Sequence, residues 1–173
     1  MTSQLDDQKL MTSNRSITDR NTLNLERYVP ALVTFLANKL SSGASACYRK
    51  HFGVGVVEWR LLAMLAVEAN ITANRICEVV GLDKAAVSRS LKQLEDAGYV
   101  AFSKDESDGR RTLVALTPSG KSLHDRIIKV ALKREQLLLG DITDEELNLL
   151  VNLLLKMNER VRLVNAYDPQ KES

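Results

Sequence analysis

Cysteine, proline and aromatic residues are all scarce in this chain, with two Cys, three Pro and 5% aromatics among 173 residues. Cys47 and Cys77 are too few for a disulfide scaffold, and their number fits a reducing cytoplasm. The two histidines, His51 and His124, lie far apart with no close Cys/His/acid cluster, so no metal site is expected. A Gly-rich phosphate loop and a nucleophile elbow are missing, and Ser88 has no base nearby in sequence. Neither enzyme chemistry nor a bound cofactor is therefore expected. No apolar run approaches the ~18 residues of a membrane span, and the polar, acidic N-terminus is unlike a signal peptide. An excess of one charge is lacking too. The net charge is +2, which excludes a uniformly basic protein.

What is present is a Leu-rich apolar content, 45% of the chain, which favours a mainly helical protein. The length suits one domain with a real core, or a small domain with dimerisation extensions. The chain is organised around residues 71–117. Two short helical patterns meet there at Gly81. In the first, Ile76, Val79 and Val80 have the spacing of a buried face, Thr72 stands at the N-cap, and Cys77 is expected as a small buried apolar residue. Gly81 can adopt the positive φ that ends this helix. Asp83 caps the second, whose inward seam is Val87, Leu91 and Leu94. Two helices, a Gly-containing turn and one inward seam describe a helix-turn-helix.

The second helix leaves Ala85, Ser88, Arg89, Lys92 and Gln93 away from that seam, with Lys84 at its start. Small, hydroxyl-bearing and cationic side chains are the types a helix needs in a DNA major groove. They are equally the makings of an ordinary solvated face. The stretches YVAFSK and RTLVALT then flank DESDGR, a turn on Asp108 and Gly109, and read as a β-hairpin with Arg110 and Arg111 at its tip. A hairpin following a recognition helix is a wing, and an Arg at its tip suits the narrow minor groove. Bulk charge speaks against nucleic acid, since residues 71–117 carry seven cations and seven acids. Local placement of the cations, doubled by dimerisation, must carry the attraction.

The pattern Asp108-Gly109-Arg110, five residues, then Leu116-Thr117 resembles the wing signature of the MarR (multiple antibiotic resistance regulator) family. The run AVSRSLKQLEDAGYV at 86–100 resembles that family's recognition helix and first wing strand, and a looser likeness spans about 22–166. The resemblance implies a mainly α fold, α+β only by its small wing, in which a winged helix-turn-helix lies between N- and C-terminal dimerisation helices. It also implies a cytoplasmic, nucleoid-associated bacterial or archaeal regulator that binds a double-stranded DNA operator as a homodimer. Lys84, Ala86, Ser88, Arg89 and Lys92 are then expected to touch phosphates and bases, with Arg110, beside Arg111, in the minor groove. Asp108 is expected to orient Arg110 or a neighbouring amide.

Taken in order, residues 1–21 form an expected flexible arm, 22–55 the N-terminal helix of the dimerisation region, 56–117 the winged motif and 118–173 the C-terminal dimerisation helices. A long helix is expected from Thr22, with Leu25, Tyr28, Val29, Leu32, Leu36 and Leu40 as its apolar face. Pro30 should kink it or open its second part. The helix should stop near 52–53, and the next, over 56–69, should bury Trp59, Leu62, Ala63, Leu65 and Ala66. Thr117-Pro118 starts a helix that Gly140 closes, and Thr143 with Glu146 forms a capping box for the last one. Its stripe of Leu147, Leu150, Leu154, Met157, Val161 and Val164 calls for a partner helix.

Many members of the resembled family bind small aromatic acids or phenols between dimerisation helices and winged domain, and then lose DNA affinity. Ser41, Ser45 and Tyr48 recur at helical spacing here, His51 follows, and Trp59-Arg60 opens the next helix. An aromatic wall beside an Arg suits a planar carboxylate; the same residues also suit ordinary core and surface roles. Two other readings stay open: redox sensing through Cys47, beside Arg49 and Lys50, and a winged-helix adaptor that binds protein without specific DNA binding. A steep loss of affinity with salt separates a DNA binder from the adaptor.

Overall fold

The computed structural model describes residues 22–171; the arm expected at 1–21 lies outside them. The elements are α1 (Val29–Phe52), α2 (Val56–Val67), α3 (Ala73–Val80), α4 (Lys84–Asp96), β1 (Val100–Lys104), β2 (Thr112–Leu116), α5 (Pro118–Leu139), α6 (Asp144–Ala166) and a short 3-10 turn (Pro169–Lys171). Two compact units divide within α5, one ending at Ile128 and the other beginning at Lys129.

The helix expected from Thr22 starts instead at Val29. A proline inside a helix loses one hydrogen bond and its ring strikes the carbonyl four residues back, whereas the first turn has no bond to lose. Pro30 therefore opens α1 rather than kinking it. The chain before it turns on Asn24, whose carbonyl accepts from the amides of Arg27 and Tyr28. Leu25 and Tyr28 thus precede the helix, and Leu25 is exposed. Helix α1 ends at Gly53, as expected.

In the first unit, α2 packs against α1, α3, α4 and β2. Its buried stripe is Glu58, Leu61, Leu62 and Leu65. Of the positions expected inside, Leu62 and Leu65 are buried, Trp59 and Ala63 are half-buried, and Ala66 faces solvent. Ile76, Val87, Leu91, Leu94 and Val114 complete the core with Leu61, and each such side chain contributes about 1.5–3 kcal/mol by leaving water. Val79 is a correction: it is 49% exposed. Helix α3 has only eight residues, so its buried face narrows to Ile76. Cys77, expected inside, is likewise only half-buried.

Strands β1 and β2 pair antiparallel, with Val100 opposite Leu116 and Lys104 opposite Thr112. Ile71 adds one bridge to Val114, exchanging both backbone bonds at 2.9 and 3.3 Å, and so ties the loop before α3 to the wing. Leu123 and Ile127 on α5 are buried as well.

In the second unit, Thr143 and Glu146 make the expected capping box at the start of α6. No residue of α6 is buried. Leu150, Leu154, Met157, Val161 and Val164 lie exposed along it.

Candidate nucleic-acid interface and ligand cleft

The helix-turn-helix is set by its ends. Thr72 Oγ1 accepts from the Arg75 amide at 3.2 Å and Asp83 Oδ1 from the Ala86 amide at 2.8 Å. Each satisfies an amide that the first helical turn leaves without a partner. Gly81 joins the helices at φ 70°, a conformation a Cβ would oppose. With Val87, Ser90, Leu91 and Leu94 buried, α4 presents Lys84, Ser88, Arg89 and Lys92 outward, and Ala86 is half-buried.

The outward cations differ in readiness. Lys84, Arg89 and Arg110 make no side-chain hydrogen bond or ion pair among the described residues. Lys92 is held by Asp96 at 2.9 Å and Glu95 at 3.0 Å. The hydrogen bonds it donates to Asp96 and Glu95, followed by their charges, raise its pKa above the usual lysine value. Arg111 Nε lies 3.3 Å from Asp108 Oδ2, while Asp108 Oδ1 accepts from the Arg110 amide at 3.1 Å. The wing tip thus spends one guanidinium on its own turn and leaves the other unpaired. Before it, the Ser107 hydroxyl and then its amide hold the Asp105 carboxyl below the usual carboxylate range.

A cleft of about 340 Å³ opens beside α1 and α2. Ser41, Ala44, Tyr48, Val56, Trp59 and Arg60 are among the residues lining it. The Tyr48 and Trp59 rings meet edge-on at 6.0 Å, and His124 stacks on Trp59 at 5.5 Å. Arg60 Nη2 donates to Ser41 Oγ at 2.7 Å, and the guanidinium has no acidic partner among the described residues. Ser45 and His51 stand apart from the lining. Ser45 accepts from Arg49 Nε, and His51 lies edge-on to Phe52.

Three structural features escaped the sequence reading. Gly120, at the start of α5, has no room for a side chain, because a Cβ there would strike the Tyr99 carbonyl. Arg75 and Glu68 form a two-pronged surface pair at 2.8 and 3.0 Å. Glu58 is buried and accepts from Ser90 on α4. Its one legible signal was half of a capping box: it stands three residues after Gly55, which has no hydroxyl to complete the pattern.

The family model described as MarR family matches residues 52–111. The uncharacterized HTH-type transcriptional regulator YdgJ of Bacillus subtilis is 31% identical over 114 residues, covering 66% of this chain and 70% of YdgJ. A crystal structure of a MarR/EmrR family transcriptional regulator from Acinetobacter sp. ADP1 is 34% identical, with a TM-score of 0.77 over 82% of this chain and 99% of that one. The S. aureus MepR–DNA complex shares the fold at 22% identity, with a TM-score of 0.69 over 79% and 98% of the two chains. Fold and relatives together define a DNA-binding winged-helix regulator of transcription, not an enzyme. The chain belongs to the MarR family.

Proposed function

We propose that this regulator is a repressor that binds a pseudopalindromic operator as a homodimer and is released from it by a small aromatic acid or phenol. The observation that carries the reading is a set of cations on one module that have no side-chain partner among the described residues: Lys84 and Arg89 on α4, and Arg110 at the wing tip. Ser88 and Ala86 bring small groups to the same helix, where backbone approaches DNA, and Lys92 joins when it leaves its acids. Arg110 enters the minor groove, with Arg111 and Asp108 shaping the turn beneath it. In this reading residues 56–117 bind DNA, and 22–55 with 118–173 form the dimer. The exposed stripe on α6 supports a partner helix. Two recognition helices then meet half-sites about 34–36 Å apart. Among the described residues no helix is long and apolar enough to cross a membrane, and a cytoplasmic site of action fits.

The cleft supports an effector site. An edge-on aromatic wall and an Arg lacking an acid partner suit a planar ring bearing a carboxylate or phenol, with Ser41, Tyr48, Trp59 and Arg60 in contact and Ser45 and His51 beyond the lining. Such a ligand acts only if it prefers the spacing of recognition helices that DNA does not. A mobility-shift assay on the chain's own upstream DNA, with and without a panel of aromatic carboxylates and phenols, tests both parts. Specific binding lost with one compound class is the expected result. Absence of any specific shift at low salt counts against the operator, and a shift lost only with peroxide turns the control to Cys47.

A further inference from the structure

Glu58 and Ser90 are the buried polar side chains among the described residues, and they meet. Ser90 Oγ donates to Glu58 Oε1 at 2.7 Å, and the Gly55 amide donates to Oε2 at 2.9 Å. Glu58 belongs to the α2 stripe of Leu61, Leu62 and Leu65, and Ser90 to the α4 stripe of Val87, Leu91 and Leu94. The two helices pack together, and their other buried residues are all aliphatic. Apolar burial is non-directional, so such a crossing tolerates small slides and rolls of one helix on the other. A hydrogen bond is directional, and fixing register is the best-attested use of a buried polar group.

The helix so fixed is the one that carries Ser88, Arg89 and Lys92 outward. Base-edge hydrogen bonds depend on position far more than phosphate attraction does. We propose that the Glu58–Ser90 hydrogen bond sets the register of the recognition helix and thereby the discrimination between operator and other DNA. Both are positioning residues that touch no DNA. The proposal rests on α4 reading bases, as set out above.

The test is the ratio of affinities for an operator duplex, selected by this protein from a random pool, and a scrambled duplex of equal length. Thermal stability is measured alongside. Ser90→Ala should lower the ratio about tenfold, the scale of one mismatched base pair, while affinity for the scrambled duplex holds. Glu58→Gln should keep the ratio, because its amide can donate to Ser90 while its carbonyl accepts from Gly55. The Glu58→Leu/Ser90→Ala pair should recover stability lost in Ser90→Ala, yet leave the ratio low. A ratio that returns with stability in this pair overturns the proposal, because the role is then structural. So does an equal loss of ratio in Ile127→Val, a core truncation off the recognition helix that needs no double variant to fold. An unchanged ratio in Ser90→Ala, with discrimination intact in the unaltered protein, sinks this inference alone. No discrimination by the unaltered protein itself sinks the operator reading and this inference with it.

Discussion

Asp108 and Lys92 show how individual side chains tune a surface whose bulk charge is balanced. Asp108 engages Arg111 and the Arg110 amide, so the turn holds itself while the Arg110 guanidinium has no partner among the described residues. Arg110→Ala should weaken operator binding by about 1–3 kcal/mol, the range for a lost specific Arg contact, as read by fluorescence anisotropy. Equal affinity in the variant would remove Arg110 from the interface. Lys92 is the opposite case, because Glu95 and Asp96 hold it, and in the proposed complex they would compete with DNA for it. Replacing both acids, Glu95→Gln with Asp96→Asn, should tighten binding to any duplex and steepen its salt dependence by about one counterion. Adding Lys92→Ala should abolish that gain. If the gain survives, it comes from lost repulsion rather than from a released lysine.

At the scale of elements, the recognition helix, wing and α5 are locked by a few backbone-directed contacts. Thr117 Oγ1 donates to the Gly98 carbonyl at 2.7 Å and accepts from the Gly120 amide at 3.0 Å. The Tyr99 carbonyl accepts from the Thr117 amide and lies where a Cβ on Gly120 would stand. Because a carbonyl in this junction cannot swing aside as a flexible side chain does, Gly120→Ala should cost about 1–3 kcal/mol of stability by overpacking. Urea unfolding would measure it; a midpoint equal to that of the unaltered protein would show that the junction gives way.

For the whole molecule, the exposed stripe of α6 sets the strongest demand. Apolar side chains at this density on one helix face mark an interaction surface. Leu154→Glu with Val161→Glu should shift the protein to monomer in sedimentation. The salt dependence of its DNA binding should fall by roughly half as one of two half-sites is lost. A dimer persisting in this variant would place the partner contact elsewhere.

Elements with strong local signals were legible from residue order alone. Thr72, Asp83 and Thr143 cap helices because a side-chain oxygen can reach amides two or three residues on, whatever the rest of the chain does. The hairpin followed from Asp108-Gly109 between β-branched runs, and α5 from Thr117-Pro118. Of the residues expected around the cleft, Ser41, Tyr48, Trp59 and Arg60 line it and Ser45 and His51 do not. Periodicity names a helix face but not where that face meets another element. The start of α1 was ambiguous because Pro30 permits either a kink or a beginning, and only the turn on Asn24 decided it. Glu58 with Ser90, Gly120 against Tyr99, and Lys92 between two acids were decided by tertiary structure or by rotamer. Lys92 lies three and four residues from its acids on one helix, so spacing brings them close and the rotamer alone decides the pairing. The other two depend on distances that sequence spacing leaves undetermined, across 32 residues in the case of Glu58 and Ser90. Local capping and turn chemistry act within a few residues and can be read in order, whereas burial and close approach exist only after the chain has folded.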